Sequence, residues 1–330
     1  MRWLVALALG ALPLAATVTP RPGPNGAMDG CVPPWDQQER RVGLGCALLP
    51  SAELVAQALK AGVRHLDTAR DYGTEAWVAQ ALKAARVPRS DVFVTSKCNG
   101  WPEKHIDASL NALETSYVDL YLMHWPMLDD ARRKMQWQQL EQIRTCGKAR
   151  FVGVANADVP MLTQLVDVWK CRLDAVQCEV NVYCQNDDVL AFCTERGIPV
   201  IGYGAVAGNV WFQELRKPYG RCDLPRMLKH PEVVAAAEMA GCTPGQALIA
   251  WGLQRGALQI PKASTIERVL ENCASIDVLL PEAATRRLTA LNDPARSTSV
   301  ALDMVLRRRR RTSSPAWLAE CLRWLRRWYS

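Results

Sequence analysis

Residues 64–97 read RHLDTARDYGTEAWVAQALKAARVPRSDVFVTSK. The stretch opens on a short apolar run, 64–67, that ends in Asp67, and it passes through a polar loop holding Tyr72 and Gly73. Helical spacing then covers 75–84, and beyond Pro88 a second apolar run, 92–96, is followed at once by Lys97. Strand, helix and second strand in this order make one βαβ unit, whose strands must run parallel because the crossover is long.

Working outward, the same alternation fills the chain from Arg40 to Leu291. Strand-like runs recur at 41–44, 64–67, 92–96, 120–123, 150–154, 175–179, 199–202 and 258–260. Helical patterns fall at 53–61, 75–84, 106–113, 134–145, 160–168, 188–196 and 244–253, and another follows at 266–274. Eight strands, each followed by a helix and with no second composition class, predict an α/β fold of the closed (β/α)8 TIM barrel type. An open dinucleotide-binding sheet would carry Gly-x-Gly-x-x-Gly after an early strand, and no such string is present there.

Composition agrees with a globular barrel. The 330 residues are 49% hydrophobic and 22% charged, which excludes disorder, collagen and a chain of many membrane spans. Twelve cysteines are scattered singly, without Cys-x-x-Cys or a Cys/His cluster at metal spacing, so free thiols and no metal site are expected. The net charge of +7 is uneven: residues 300–330 carry eight arginines against Asp303 and Glu320, leaving the rest of the chain nearly neutral. A neutral body argues against nucleic acid as a partner.

Both ends differ from the middle, and the expected division is 1–30, 40–292 and 300–330, a barrel with non-barrel extensions. Residues 3–18 are apolar behind Arg2 and run into a Pro/Gly-rich linker, a pattern closer to a targeting signal for the secretory pathway or an organelle than to a spanning helix. At the other end, five arginines (307–311) precede a stretch in which Trp317, Cys321, Trp324 and Trp328 recur at helical spacing. Such an amphipathic helix either docks on the barrel or binds a partner or an anionic membrane surface.

A barrel of this kind places its chemistry at the carboxyl ends of its strands. Polar residues stand at nearly every one: Asp67 with Tyr72 in the following loop, Lys97, His124, Asn156, Gln177, Tyr203 and Lys262. Singly, a strand-end Asp is often a helix cap and a His a satisfied core group. Together they suggest a proton-donating site. A free tyrosine hydroxyl titrates near pH ~10, and an ammonium beside it is expected to pull that value down, with a carboxylate holding the ammonium charged. Asp67, Lys97 and Tyr72 would form such a relay, and His124 would polarise a substrate oxygen as a second donor. That is the requirement of carbonyl reduction, with the hydride supplied by a nicotinamide cofactor.

The strings HLDTARDYGTE (65–75), FVTSK (93–97), SYVDLYLMHWP (116–126), GKARFVGVAN (147–156), QCEVNVYCQ (177–185), GIPVIGYG (197–204) and IPKASTIERVLEN (260–272) resemble the aldo-keto reductase superfamily over about three quarters of the chain. The resemblance implies that Asp67, Tyr72, Lys97 and His124 are the catalytic four. It implies nicotinamide contacts at Asn156 and Gln177, a stacking ring at Tyr203, 2′-phosphate contacts at Lys262 and Arg268, and adenine contacts at Glu271 and Asn272. NADP(H), a small carbonyl substrate, a monomer and a cytoplasmic setting are what the family would lead one to expect, the last in tension with the N-terminal segment. Departures stand beside the matches: Ala155, Gly204 and Ala263 replace customary serines, and Ala47 and Asn99 stand where Trp is common, while Trp101 and Trp125 remain to line the pocket. These changes suggest an open pocket. They also keep a second reading in view, a weakly active NADPH-binding regulatory or interaction module on the same fold.

Overall fold

The computed structural model describes residues 33–37, 40–206 and 227–293. The expected targeting segment and the arginine-rich tail lie outside the described residues. Eight parallel strands follow one another around a single sheet in chain order: β1 Leu44–Gly45, β2 His65–Asp67, β3 Phe93–Cys98, β4 Val118–Met123, β5 Ala149–Ala155, β6 Ala175–Glu179, β7 Val200–Tyr203 and β8 Ala257–Gln259. The ends of the sheet meet. Val42 bridges Gln259 in parallel register, the Gln259 amide donates to Arg41 O at 2.9 Å, and the Gly43 amide donates to Gln259 O at 2.8 Å. Closure removes both edges and forces all eight carboxyl ends to one mouth.

Alternation along the strands sorts two cores. On β4, Leu120 and Leu122 point into the barrel with Phe93, Ala155, Ala175, Ile201, Leu258 and Ile260, whereas Tyr121 and Met123 face the helix layer. The amino-terminal mouth is stoppered by Trp35, just ahead of the boundary expected at residue 40. Its ring meets Phe93 at 5.6 Å and Phe151 at 5.4 Å, both edge-on. Gly153 is required where β5 and β6 approach, since a Cβ there would lie 2.2 Å from Ala175 O.

The helix layer consists of α1 Ala52–Lys60, α2 Glu75–Ala85, α3 Ile106–Ala112, α4 Asp130–Thr145, α5 Val159–Thr163 running into a π turn, α6 Asp187–Glu195, α7 Pro231–Ala240, α8 Pro244–Gln254, α9 Ile266–Cys273 and α10 Glu282–Thr289. Starts are set by local chemistry: Ser51, Asp129, Asp158, Thr243 and Thr265 each accept a hydrogen bond from a first-turn amide. Two helices go beyond the sequence expectation, α7 and α10, which pack on each other. The alanine-rich face of α7 gives weak periodic contrast, and only the neighbour shows which side is inward. The nine described cysteines are free thiols, and among the described residues no single helix is long and apolar enough to cross a membrane.

Candidate active site at the carboxyl mouth

Because every strand points the same way, residues far apart in sequence arrive together. Asp67 ends β2, Lys97 lies on β3, His124 and Asn156 directly follow β4 and β5, Gln177 lies on β6, and Tyr203 ends β7. Tyr72 closes a 3-10 turn, Arg70–Tyr72, that tips its ring back over the mouth.

Lys97 is the centre of this arrangement. Its side chain has no solvent exposure; Nζ donates to Asp67 Oδ1 at 2.5 Å and to Thr68 O at 2.9 Å, and sits 4.9 Å from the centroid of the Tyr72 ring. The second oxygen of Asp67 accepts from Gln177 Nε2 at 2.7 Å. Burial works against the ammonium, but Asp67 and Tyr72 outweigh it and raise the Lys97 pKa, so the charge is held.

The Tyr72 hydroxyl meets His124 Nε2 at 3.5 Å, with the two rings edge-on. Here the structure corrects the sequence expectation. The hydroxyl pKa is raised, not lowered, because burial exceeds the opposing pull of Lys97. Tyr72 therefore stays protonated at neutral pH and can donate, with the Lys97 ammonium 4.9 Å from its ring centroid. Burial likewise holds the His124 pKa below its ordinary value, against the pull of the Asp71 carboxylate beside Nδ1.

Asn156 stands in the left-handed region, φ 60°, which points its amide inward. Nδ2 donates to His124 O at 2.9 Å, while Oδ1 accepts from the Tyr203 hydroxyl at 2.6 Å. Gln177, though tied to Asp67, keeps its carbonyl oxygen, to which no group among the described residues donates. Both amides thus retain capacity for a carboxamide, with the half-buried Tyr203 ring beside them. Lys262 and Arg268 are exposed, flanking the start of α9, whose first turn is capped by Thr265 Oγ1 accepting from the Arg268 amide at 3.4 Å. Two cations at a helix N-terminus suit a phosphate. The donor set therefore fits a phosphorylated nicotinamide cofactor. Glu271, expected near the adenine, accepts from Thr243 Oγ1 and so is tied to the start of α8, while its neighbour Asn272 is buried.

Trp101 opens the turn Pro102–Lys104, and Trp125 is 41% exposed beside His124. Sequence reasoning missed two supports. Gln136 of α4, fully buried, donates to Gly100 O at 2.6 Å and accepts from the Met127 amide at 3.1 Å, stitching the loops after β3 and β4 together. Asp71 accepts from Asn99 Nδ2 at 2.6 Å and faces His124 Nδ1 at 3.9 Å. A charged residue directly before Tyr72 was the available signal.

Comparison with known proteins bears on the family and the fold. The Aldo/keto reductase family matches residues 50–293. Aldo-keto reductase family 1 member A1 of Pongo abelii is 32% identical over 271 residues, 72% of this chain and 80% of the relative. Glycerol 2-dehydrogenase (NADP(+)) of Saccharomyces cerevisiae is 33% identical over 252 residues, 66% of this chain and 76% of the relative. Among solved structures, an aldo/keto reductase from Brucella melitensis superposes with a TM-score of 0.66 at 28% identity, covering 76% of this chain and 93% of the other. On the match over most of the barrel, and on the mouth those residues build, the chain belongs to the aldo/keto reductase family and is an oxidoreductase.

Proposed function

We propose that this protein reduces aldehydes, and ketones of suitable size, to alcohols with NADPH, using Tyr72 as the general acid. The observation that carries the reading is the buried Asp67–Lys97 pair set beneath the Tyr72 ring. A fully enclosed ammonium is costly to maintain unless something uses its charge, and a phenolate forming beside it is such a use. Asn156, Gln177 and Tyr203 would hold the nicotinamide end of the cofactor, Lys262 and Arg268 its 2′-phosphate, and Glu271 and Asn272 would lie toward the adenine. When bound, the cofactor supplies the hydride. The protein's share is to hold the carbonyl oxygen at the Tyr72 hydroxyl, deliver that proton as negative charge develops, and keep the phenolate paired with Lys97.

The test is to incubate the protein with NADPH and a panel of small aldehydes, ketones and quinones while following nicotinamide absorbance. The parent is expected to oxidise NADPH with at least one carbonyl. Tyr72→Phe is expected to lose about 10²–10⁴-fold in rate while binding NADPH nearly as before, since only the proton donor is removed. A Phe variant that keeps most of the parental rate would disprove the role of Tyr72. NADPH binding without turnover of any carbonyl would leave the chain a cofactor-binding module.

A further inference from the structure

The His124 ring meets two different neighbours. Nε2 faces the Tyr72 hydroxyl at 3.5 Å, whereas Nδ1 is buried without a hydrogen-bond partner and faces Asp71 Oδ2 at 3.9 Å. Asp71 is held in place. Asn99 Nδ2 donates to that same oxygen at 2.6 Å, and the backbone is fixed by the turn in which the Tyr72 amide donates to Ala69 O at 3.0 Å. The carboxylate is charged: burial would raise its pKa, but the contacts with His124 and Asn99 prevail and lower it.

A neutral imidazole carries one proton. Placed on Nδ1, the proton meets a carboxylate and leaves the Nε2 lone pair toward a hydroxyl that can donate. Placed on Nε2, it leaves the Nδ1 lone pair facing a negative oxygen in an enclosed site where repulsion is poorly screened. We infer that Asp71 is a positioning residue that holds neutral His124 in the Nδ1–H form, so that His124 faces Tyr72 as an acceptor and donates from Nε2 only when doubly protonated.

This reverses the role the residue pattern suggested for His124, and its kinetic consequence rests on the carbonyl-reductase reading. Once Tyr72 has given its proton to the substrate oxygen, it is a phenolate beside Lys97. The imidazolium then passes its Nε2 proton to the phenolate oxygen: the Nε2–H bond breaks, the O–H bond forms, and the ring returns to the Nδ1–H form facing Asp71. Solvent reaching the ring, whose side chain is 13% exposed, restores the Nε2 proton. The charged and titratable groups facing the ring are Asp71 and Tyr72 from the β2 loop, Asp67 from β2 and Lys97 from β3. Cys98, whose carbonyl accepts the His124 amide at 2.9 Å, is neutral, its thiol pushed up to about 12 chiefly by burial. Asn156, which holds the His124 carbonyl, is uncharged.

Two measurements test the inference. In long-range nitrogen–proton correlation spectra of the full chain carrying nitrogen-15 histidine, with His124 assigned by the signals lost in His124→Gln, neutral His124 is expected to show a protonated Nδ1 and a bare Nε2. Asp71→Asn should raise the Nε2–H population. A protonated Nε2 in the parent overturns the proposal whether or not the protein reduces carbonyls. In kinetics, kcat of the parent should rise as pH falls through the His124 titration. Asp71→Asn should move that limb about one pH unit lower by removing an opposite charge, and Asp71→Glu should leave it near the parental position. Superimposable profiles for the parent and Asp71→Asn overturn the proposal. A parent that reduces no carbonyl defeats the functional reading instead, and the spectra still decide the tautomer.

Discussion

Replacing Asp67 by Asn removes one charge from a site closed to bulk solvent. The Lys97 side chain is fully buried and that of Asp67 is 3% exposed, with Nζ and Oδ1 2.5 Å apart. The carboxylate serves two donors at once, Lys97 Nζ on one oxygen and Gln177 Nε2 on the other. An Asn has the same outline but one carbonyl oxygen, so its amino group must face one of those donors. The variant loses a hydrogen bond and the counter-charge together, and Thr68 O is left as the remaining fixed partner of the ammonium. Breaking a buried pair by removing one member costs about 3–5 kcal/mol. For a domain of this size that is a fall in Tm of roughly 6–20 °C. The pH dependence has a definite sign. In the parent, the raised Lys97 pKa contributes stability present below its unfolded value and lost as pH climbs through the folded one. In the variant, burial acts without Asp67 and drives the pKa down, so the unfolded chain binds more protons and stability rises toward alkaline pH. Urea unfolding followed by tryptophan fluorescence should show the gap between variant and parent near neutrality and narrow it at about pH 9.5, approaching the free lysine value. Equal stability near neutrality, or a gap that widens with pH, would refute the argument.

Cofactor choice should rest on the exposed pair at the start of α9: Lys262→Ala is expected to weaken NADPH binding about tenfold and leave NADH unchanged, because one charge-assisted bond to the 2′-phosphate is lost. Fluorescence-quenching titrations with both cofactors check this, and equal losses for the two would contradict it. Gly204→Ser, which restores a customary serine, should lower stability by about 1–2 kcal/mol, since Gly204 sits at φ 76°, a conformation costly to a side chain; an unchanged melting temperature would count against the strain. His65 is fully buried with neither ring nitrogen hydrogen-bonded, and burial above all holds its pKa at about 4. The unfolded chain takes up this proton from about pH 6.5 downward and the folded one does not, so stability should fall by about 3 kcal/mol on acidification toward the folded value. Substituting His65→Leu should flatten that part of the acid-denaturation curve, and an unaltered slope would exclude His65 as its source.

The eight strands were legible because alternation and chain reversal are written within ten or so neighbouring residues, as in 92–96 followed by Lys97. The residues of the mouth were legible for a related reason, since a parallel barrel lets a polar residue at a strand's end be placed without knowing its neighbours. What those residues do to one another was not legible. Gln177 reaches Asp67 across 110 positions, Glu271 turns to Thr243, and Trp35 stoppers the far mouth only after Phe93 and Phe151 have been brought together by closure. The Tyr72 pKa is the clearest instance: its neighbour Lys97 could be named from sequence, but the direction of the shift depends on how much water burial removes, and that outweighs the neighbour. The proton on His124 follows the same rule, being placed by Asp71, a residue that looks like a loop charge until β2 and β4 bring the two face to face. Sequence by itself determined which groups the barrel presents at its mouth, because strand order and side-chain alternation are local. Only the tertiary structure decided their charges, partners and tautomers, because desolvation and contact distance exist only once the barrel has closed.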